Sequence, residues 1–161
     1  MLIALPVHWI IIIDILAWLI IHMSVAYLTT QVPARFIHTE AWIYRERDWE
    51  KGGKIYEKVF KIRKWKDLLP DGAALFKKGF RKRSMTSVTK EYMQQFIVEV
   101  CRAELVHWIV ILFSPLFFIW NYWWVGFIMI FYALIANIPC IIAQRYNRIR
   151  FKRILDKMAV S

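Results

Sequence analysis

Three stretches of the chain are apolar almost without interruption, at about 7–28, 105–120 and 125–144. Each approaches the roughly 20 residues a helix needs to cross a bilayer, and the pattern predicts three spans. The second has a helical approach. Met93, Phe96, Ile97, Val100 and Leu105 keep helical spacing, so one long helix is expected to start after an N-cap among Thr86, Ser87 and Thr89 and to continue into the span. Over 54–69, Ile55, Val59, Ile62 and Leu69 recur at helical spacing beside Tyr56, Phe60 and Trp65, with lysines and arginines between them. That pattern predicts an amphipathic helix lying in the headgroup plane.

Breakers divide these elements. Gln31-Val32-Pro33 closes the first span, Gly52-Gly53 marks a boundary, and Pro70-Asp71-Gly72 is a turn ahead of a basic link at 77–83. Asn121 falls in a tight outer turn among Trp120, Tyr122, Trp123 and Trp124, an aromatic girdle of interfacial type. Pro115 is expected to kink the second span or mark a re-entry, and Pro139 to distort the inner half of the third. The fold class is therefore an all-α integral membrane protein, one domain over 1–161.

Charge gives the spans a direction. Of the 23 Lys and Arg residues, 17 lie in the loop 29–104 and 6 in the tail 145–161, with none before Pro6 or around Asn121. Cationic segments are retained on the cytoplasmic side, which puts the N-terminus outside and both loop and tail inside. At 59% hydrophobic and 22% charged over 161 residues, the chain averages a greasy part and a basic part. The net charge of +11 flanks spans, where it meets anionic headgroups, and nucleic acid is not expected as a partner. Ser24-Val25-Ala26 resembles a cleavage site, but the first span lacks a cationic leader and is read as an uncleaved anchor. Cys101 and Cys140 make neither a disulfide framework nor a metal pair.

Polar residues inside spans are expensive and mark interior or functional positions. Asp14, Trp18 and His22 share one stripe. His22 reads either as the wall of a substrate cavity or as a packing contact, and Asp14 more simply as packing. Glu104 and His107 lie at i, i+3 on one helix face at the cytoplasmic boundary. His107 can serve as a general base toward a hydroxyl with Glu104 orienting it; the alternative is an ion pair between Glu104 and a cation such as Arg102, beside a snorkelling histidine. At the same depth come Asn137 and the run Gln144-Arg145-Tyr146-Asn147-Arg148. Arg145 and Arg148 suit phosphate or a developing oxyanion. Arg150, Lys152 and Arg153 read as a topological stop. No GxSxG elbow, HExxH or Walker loop is present, so no metal is expected.

The combination Arg63-Lys64-Trp65-Lys66, Asp71-Gly72, Arg102-Ala103-Glu104-Leu105-Val106-His107-Trp108, and Phe131 to Asn137 through Gln144 to Arg148 closely resembles the glycosyl-4,4'-diaponeurosporenoate acyltransferase family. The likeness runs from about Ser24 to Arg150. It implies a multi-pass enzyme of the bacterial cell membrane that esterifies a fatty acyl group onto the sugar of a glucosylated C30 carotenoid acid, the last step of staphyloxanthin-type synthesis. Other glycolipid acceptors stay open, as does a non-catalytic lipid-binding or assembly subunit. His107 and Glu104 are then the expected catalytic residues, with His22, Asn137, Gln144, Arg145, Asn147, Arg148, Trp65 and Asp71 on the substrates. No cofactor is expected; the acyl donor is a co-substrate, a thioester such as acyl-CoA or acyl carrier protein. The other expected partners are membrane lipids and the glycosylated carotenoid.

Overall fold

The computed structural model describes residues 6–69 and 89–160, and among them all regular structure is helical. Four α-helices set the frame: α1 Val7–Gln31, α2 Lys54–Lys58, α3 Lys90–Phe113 and α4 Trp123–Val160. The Pro70-Asp71-Gly72 turn, the basic link and the candidate caps Thr86 and Ser87 lie outside the described residues. Thr89 caps α3, its hydroxyl accepting from the Tyr92 N–H at 3.2 Å. That satisfies one of the donors a helix start leaves open.

α1 and α4 are each long and apolar enough to cross a membrane. At 1.5 Å per residue α1 runs about 37 Å, against a hydrocarbon core of roughly 30 Å. Its buried residues Ile10, Asp14, Trp18, Val25 and Thr29 form one stripe, while Ile11, Ile12, Ile15, Leu19 and Ile20 face outward. Apolar side chains on the outside are tolerated where lipid replaces water. α4 shows the same inversion, with Phe127, Ile128, Phe131 and Ile135 exposed.

α3 packs between them in two halves. Its first half joins Met93, Phe96, Ile97 and Val100 to Ile37, Tyr44 and Phe151. Its second half puts Val110 with Trp18, Val25, Phe117 and Ala133, and Trp18 stacks on Phe117 at 4.5 Å between ring centres. Both ends of α1 are pinned by polar contacts. Asp14 accepts from the Trp120 indole at 2.7 Å and from the Asn121 amide at 2.8 Å, which is the packing role. At the other end Arg102 donates to the carbonyls of Thr29 and Val32, filling acceptors that the helix terminus leaves open.

α3 stops at Pro115. Proline has no N–H to offer the Ile111 carbonyl, and the Ser114 hydroxyl donates to that oxygen at 2.7 Å instead. A 3₁₀ turn, Ser114–Phe118, then leads into the hairpin at Asn121. A Cβ on Gly126 would fall 2.5 Å from the Phe118 ring, so only glycine allows this close return. Pro139 sits inside α4 without ending it, and the helix continues through the basic tail to Val160.

The segment 54–69 differs from the expected amphipathic helix. α2 ends at Lys58, Lys61 is left-handed at φ 49°, and 3₁₀ turns follow at Ile62–Lys64 and Lys66–Leu68. The cause is packing. Tyr56 and Ile62 are both buried against Ala143, Tyr146 and Ile149 of α4. Six residues apart, they would point about 120° away from each other on a helix, so the chain must fold back to bury both. The Trp65 indole closes that reversal by donating to the Phe60 carbonyl at 2.8 Å.

Candidate functional site

α3 and α4 are antiparallel neighbours, and their facing sides bring together two polar groups about one helical turn apart. The first is a histidine and an amide. His107 Nδ1 lies 2.8 Å from Asn137 Oδ1, and Asn137 Nδ2 donates to the Ala133 carbonyl at 2.8 Å. The second contact fixes the amide, since only its NH₂ can serve a carbonyl. Its oxygen therefore faces the imidazole, which puts a proton on Nδ1. Asn137 is fully buried and His107 half-buried.

The second group is charged and largely buried, with Arg148 Nη2 lacking a hydrogen-bond partner among the described residues. Arg145 donates from Nε and Nη2 to the two oxygens of Glu50, each at 2.9 Å, a bidentate fork. Its Nη1 reaches Glu104 at 3.1 Å and the Ile43 carbonyl at 2.9 Å, and Nη2 reaches the Arg45 carbonyl at 3.1 Å. All five guanidinium donors are thereby used, a geometry lysine cannot reproduce. Glu104 also accepts from Arg148 and, at 3.4 Å, from the Trp108 indole. Arg148 lies with its guanidinium carbon 5.3 Å from the centre of the Tyr44 ring. Two carboxylates face two guanidiniums, and the group is neutral as a whole.

Burial alone would raise the Glu50 carboxyl, but hydrogen bonds from Arg145, the Tyr56 hydroxyl and the Arg47 N–H outweigh it and hold its pKa below the usual carboxylate value. Burial pushes the Tyr44 phenol up to about 12, and burial with the Glu50 hydrogen bond pushes Tyr56 up as well. Both phenols stay neutral and act as donors or packing surfaces.

The structure thus gathers Glu104, His107, Asn137, Arg145 and Arg148 in the middle of the α3–α4 interface, between its two apolar halves. The polar partner seen at His107 Nδ1 is Asn137, while Glu104 spends its oxygens on the arginines and Trp108. Arg102, four residues before Val106, caps α1 and also pairs with Glu99 at 3.0 Å. His22 stands beside Trp18, 5.6 Å between ring centres. Gln144 and Asn147 are half-buried on α4, Trp65 braces the loop, and Asp71 lies outside the described residues. Glu50 and Tyr56 were not legible as site residues. Glu50 sits among Glu46, Asp48 and four cations in a mixed run, and what singles it out is a partner 95 positions away.

A family model described as glycosyl-4,4'-diaponeurosporenoate acyltransferase matches residues 40–157. Curated proteins of that name from Staphylococcus aureus strains bovine RF122 / ET3-1, N315 and USA300 are each 38% identical over 138 residues, covering 86% of this chain and 83% of theirs. No solved structure matches the chain. The matched region contains α2, α3 and both polar groups, and the chain belongs to the glycosyl-4,4'-diaponeurosporenoate acyltransferase family as an acyltransferase of carotenoid biosynthesis.

Proposed function

We propose that this acyltransferase esterifies a sugar hydroxyl of a glycosylated C30 carotenoid acid at the inner face of a bacterial cell membrane, with His107 as general base. The observation that carries the mechanism is the His107–Asn137 pair, which puts a proton on Nδ1, so that a neutral ring would have its basic nitrogen at Nε2. In this reading Nε2 takes the hydroxyl proton as the oxygen attacks the thioester carbonyl and a C–O bond forms. The tetrahedral intermediate collapses with loss of the C–S bond, and His107 returns the proton to the leaving thiolate. Asn137 is a positioning residue. Glu104 and the two arginines hold α3, α4 and the loop in register, a role that differs from the base-orienting and oxyanion roles expected from spacing.

The chain passes the membrane three times, N-terminus outside. Support comes from the cation partition and from Leu112, Phe113, Leu116 and Ile119, which leave the second half of α3 and its following turn exposed and apolar like α1 and α4. The polyene then lies among the spans and its sugar reaches the inner boundary. Incubating purified protein with an acyl thioester and glucosylated carotenoid, followed by mass spectrometry, tests the activity. A sugar ester is the expected product. Acylation of other glycolipids but not of this acceptor would contradict the substrate assignment.

A further inference from the structure

The cations of the cytoplasmic side fall into two tiers measured along α4. Ile62 and Trp65 pack with Ala143 and Tyr146. At 1.5 Å per residue those two α4 positions lie about 30–35 Å from Trp123, the inner edge of a hydrocarbon core that starts at the aromatic girdle. Here Val59, Phe60 and Leu68 are exposed next to Lys61 and Lys64, which suits headgroups.

The outer tier stands elsewhere. Arg150, Arg153 and Lys157 are exposed at i, i+3 and i+7, one face of α4, at about 40, 45 and 51 Å from Trp123. With roughly 5–7 Å of headgroups on each side of a core of about 30 Å, the inner headgroups end about 35–38 Å from the level of Trp123. An average tilt of about 20° shortens these heights by less than a tenth. Arg153 and Lys157 therefore reach past the headgroups.

Lys51, in the loop, and Lys54, the first residue of α2, extend the same surface. Lys51 and Gly52 both have positive φ, and a Cβ at Gly52 would fall 1.5 Å from Arg153 Nη2, so the arginine lies directly on the glycine. The nearby Glu57 is occupied by Arg63 at 2.5 Å and by the Tyr146 hydroxyl at 2.7 Å. Exposed acids close in sequence are Glu46, Asp48 and Asp156, outnumbered by the five cations, and the exposed Glu40 is paired with Lys152 at 2.5 Å.

We infer that this outer tier docks an acidic acyl carrier protein, which delivers the fatty acyl thioester to the site below. The inference rests on the thioester reading of the donor. Five cations spread over α4, the loop and the start of α2 match a broad acidic protein surface, whereas a nucleotide phosphate wants donors converging on one point. From Arg150 to Asn137 the descent along α4 is about 20 Å, so the cargo must hang on a long flexible arm.

The test uses the full-length protein in phosphatidylcholine nanodiscs, with acylated bacterial acyl carrier protein and acyl-CoA as alternative donors. Carrier binding to the wild type should weaken with salt. It should fall at least tenfold in Arg150→Glu/Arg153→Glu/Lys157→Glu and again in Lys51→Glu/Lys54→Glu, while turnover from saturating acyl-CoA is unchanged. Carrier affinity that survives both charge reversals, or no binding to the wild type, overturns the docking surface and leaves the His107 chemistry standing. Binding without turnover from either thioester overturns the inference through its donor.

Discussion

The two polar groups between α3 and α4 are built in opposite ways. The Glu50–Arg145–Glu104–Arg148 group is charged, and three of its four members are fully buried. The His107–Asn137 pair sets an imidazole against an amide, and its ring is half-buried. Taking a charge out of water costs several kcal/mol, which opposite charges and hydrogen bonds offset here except at Arg148 Nη2, a buried donor with no hydrogen-bond partner among the described residues. A catalytic base needs the reverse, a group left able to accept a proton. Glu104 and His107 are three residues apart on one helix, yet in the proposed mechanism the first serves structure and the second serves chemistry.

Arg145→Ala should break this contrast most severely. It strips Glu50 and Glu104 of their shared cation and leaves the Ile43 and Arg45 carbonyls without this donor. Removing one partner of a buried pair costs about 3–5 kcal/mol, and the loop should detach from α4. Thermal unfolding in detergent, with proteolysis of the loop as a local readout, checks it; an unchanged melting profile would mean the group is not holding the fold.

Asn137→Ala acts on the other group and should be milder. Losing the hydrogen bond that fixes the imidazole costs on the order of 1–3 kcal/mol, read as a roughly 10- to 100-fold fall in kcat. KM should change little. A loss confined to KM would make Asn137 a substrate contact instead of a positioning residue.

Acid sharpens the comparison with the smallest effect. The folded-state pKa of Glu50 is depressed, so its contribution to stability is complete above the unfolded carboxylate value and is lost as pH falls through the folded one. Loosening should therefore begin below the ordinary carboxylate range, in the loop ahead of the spans. Hydrogen exchange across 43–57 from neutral to acidic pH would show it, and Glu50→Gln should flatten the response.

The helices with strong local signals are the ones the sequence makes legible. α1, α3 with its Thr89 cap, the Pro115 break and the Asn121 turn follow from hydropathy and breakers. The 54–69 segment departs from the helix its lysine-rich apolar spacing fits, because the need to bury Tyr56 and Ile62 on one surface is tertiary. The same limit applies to the site. His107, Asn137 and the two arginines stand out as polar groups near spans, but pairing decides their work, and pairing is set by α3 against α4. Spacing on one helix suggested Glu104 as the partner of His107, whereas Asn137, thirty positions away, takes that place.

The central claim is that chemistry and stability are divided between these neighbours. It is tested most directly by measuring specific activity per folded molecule and melting temperature on His107→Ala and Glu104→Gln side by side. His107→Ala should keep its melting temperature and lose about 10²- to 10⁴-fold in turnover. Glu104→Gln should melt earlier while its folded fraction turns over close to the wild-type rate. Near wild-type activity in His107→Ala, or full stability with lost activity in Glu104→Gln, would contradict the account.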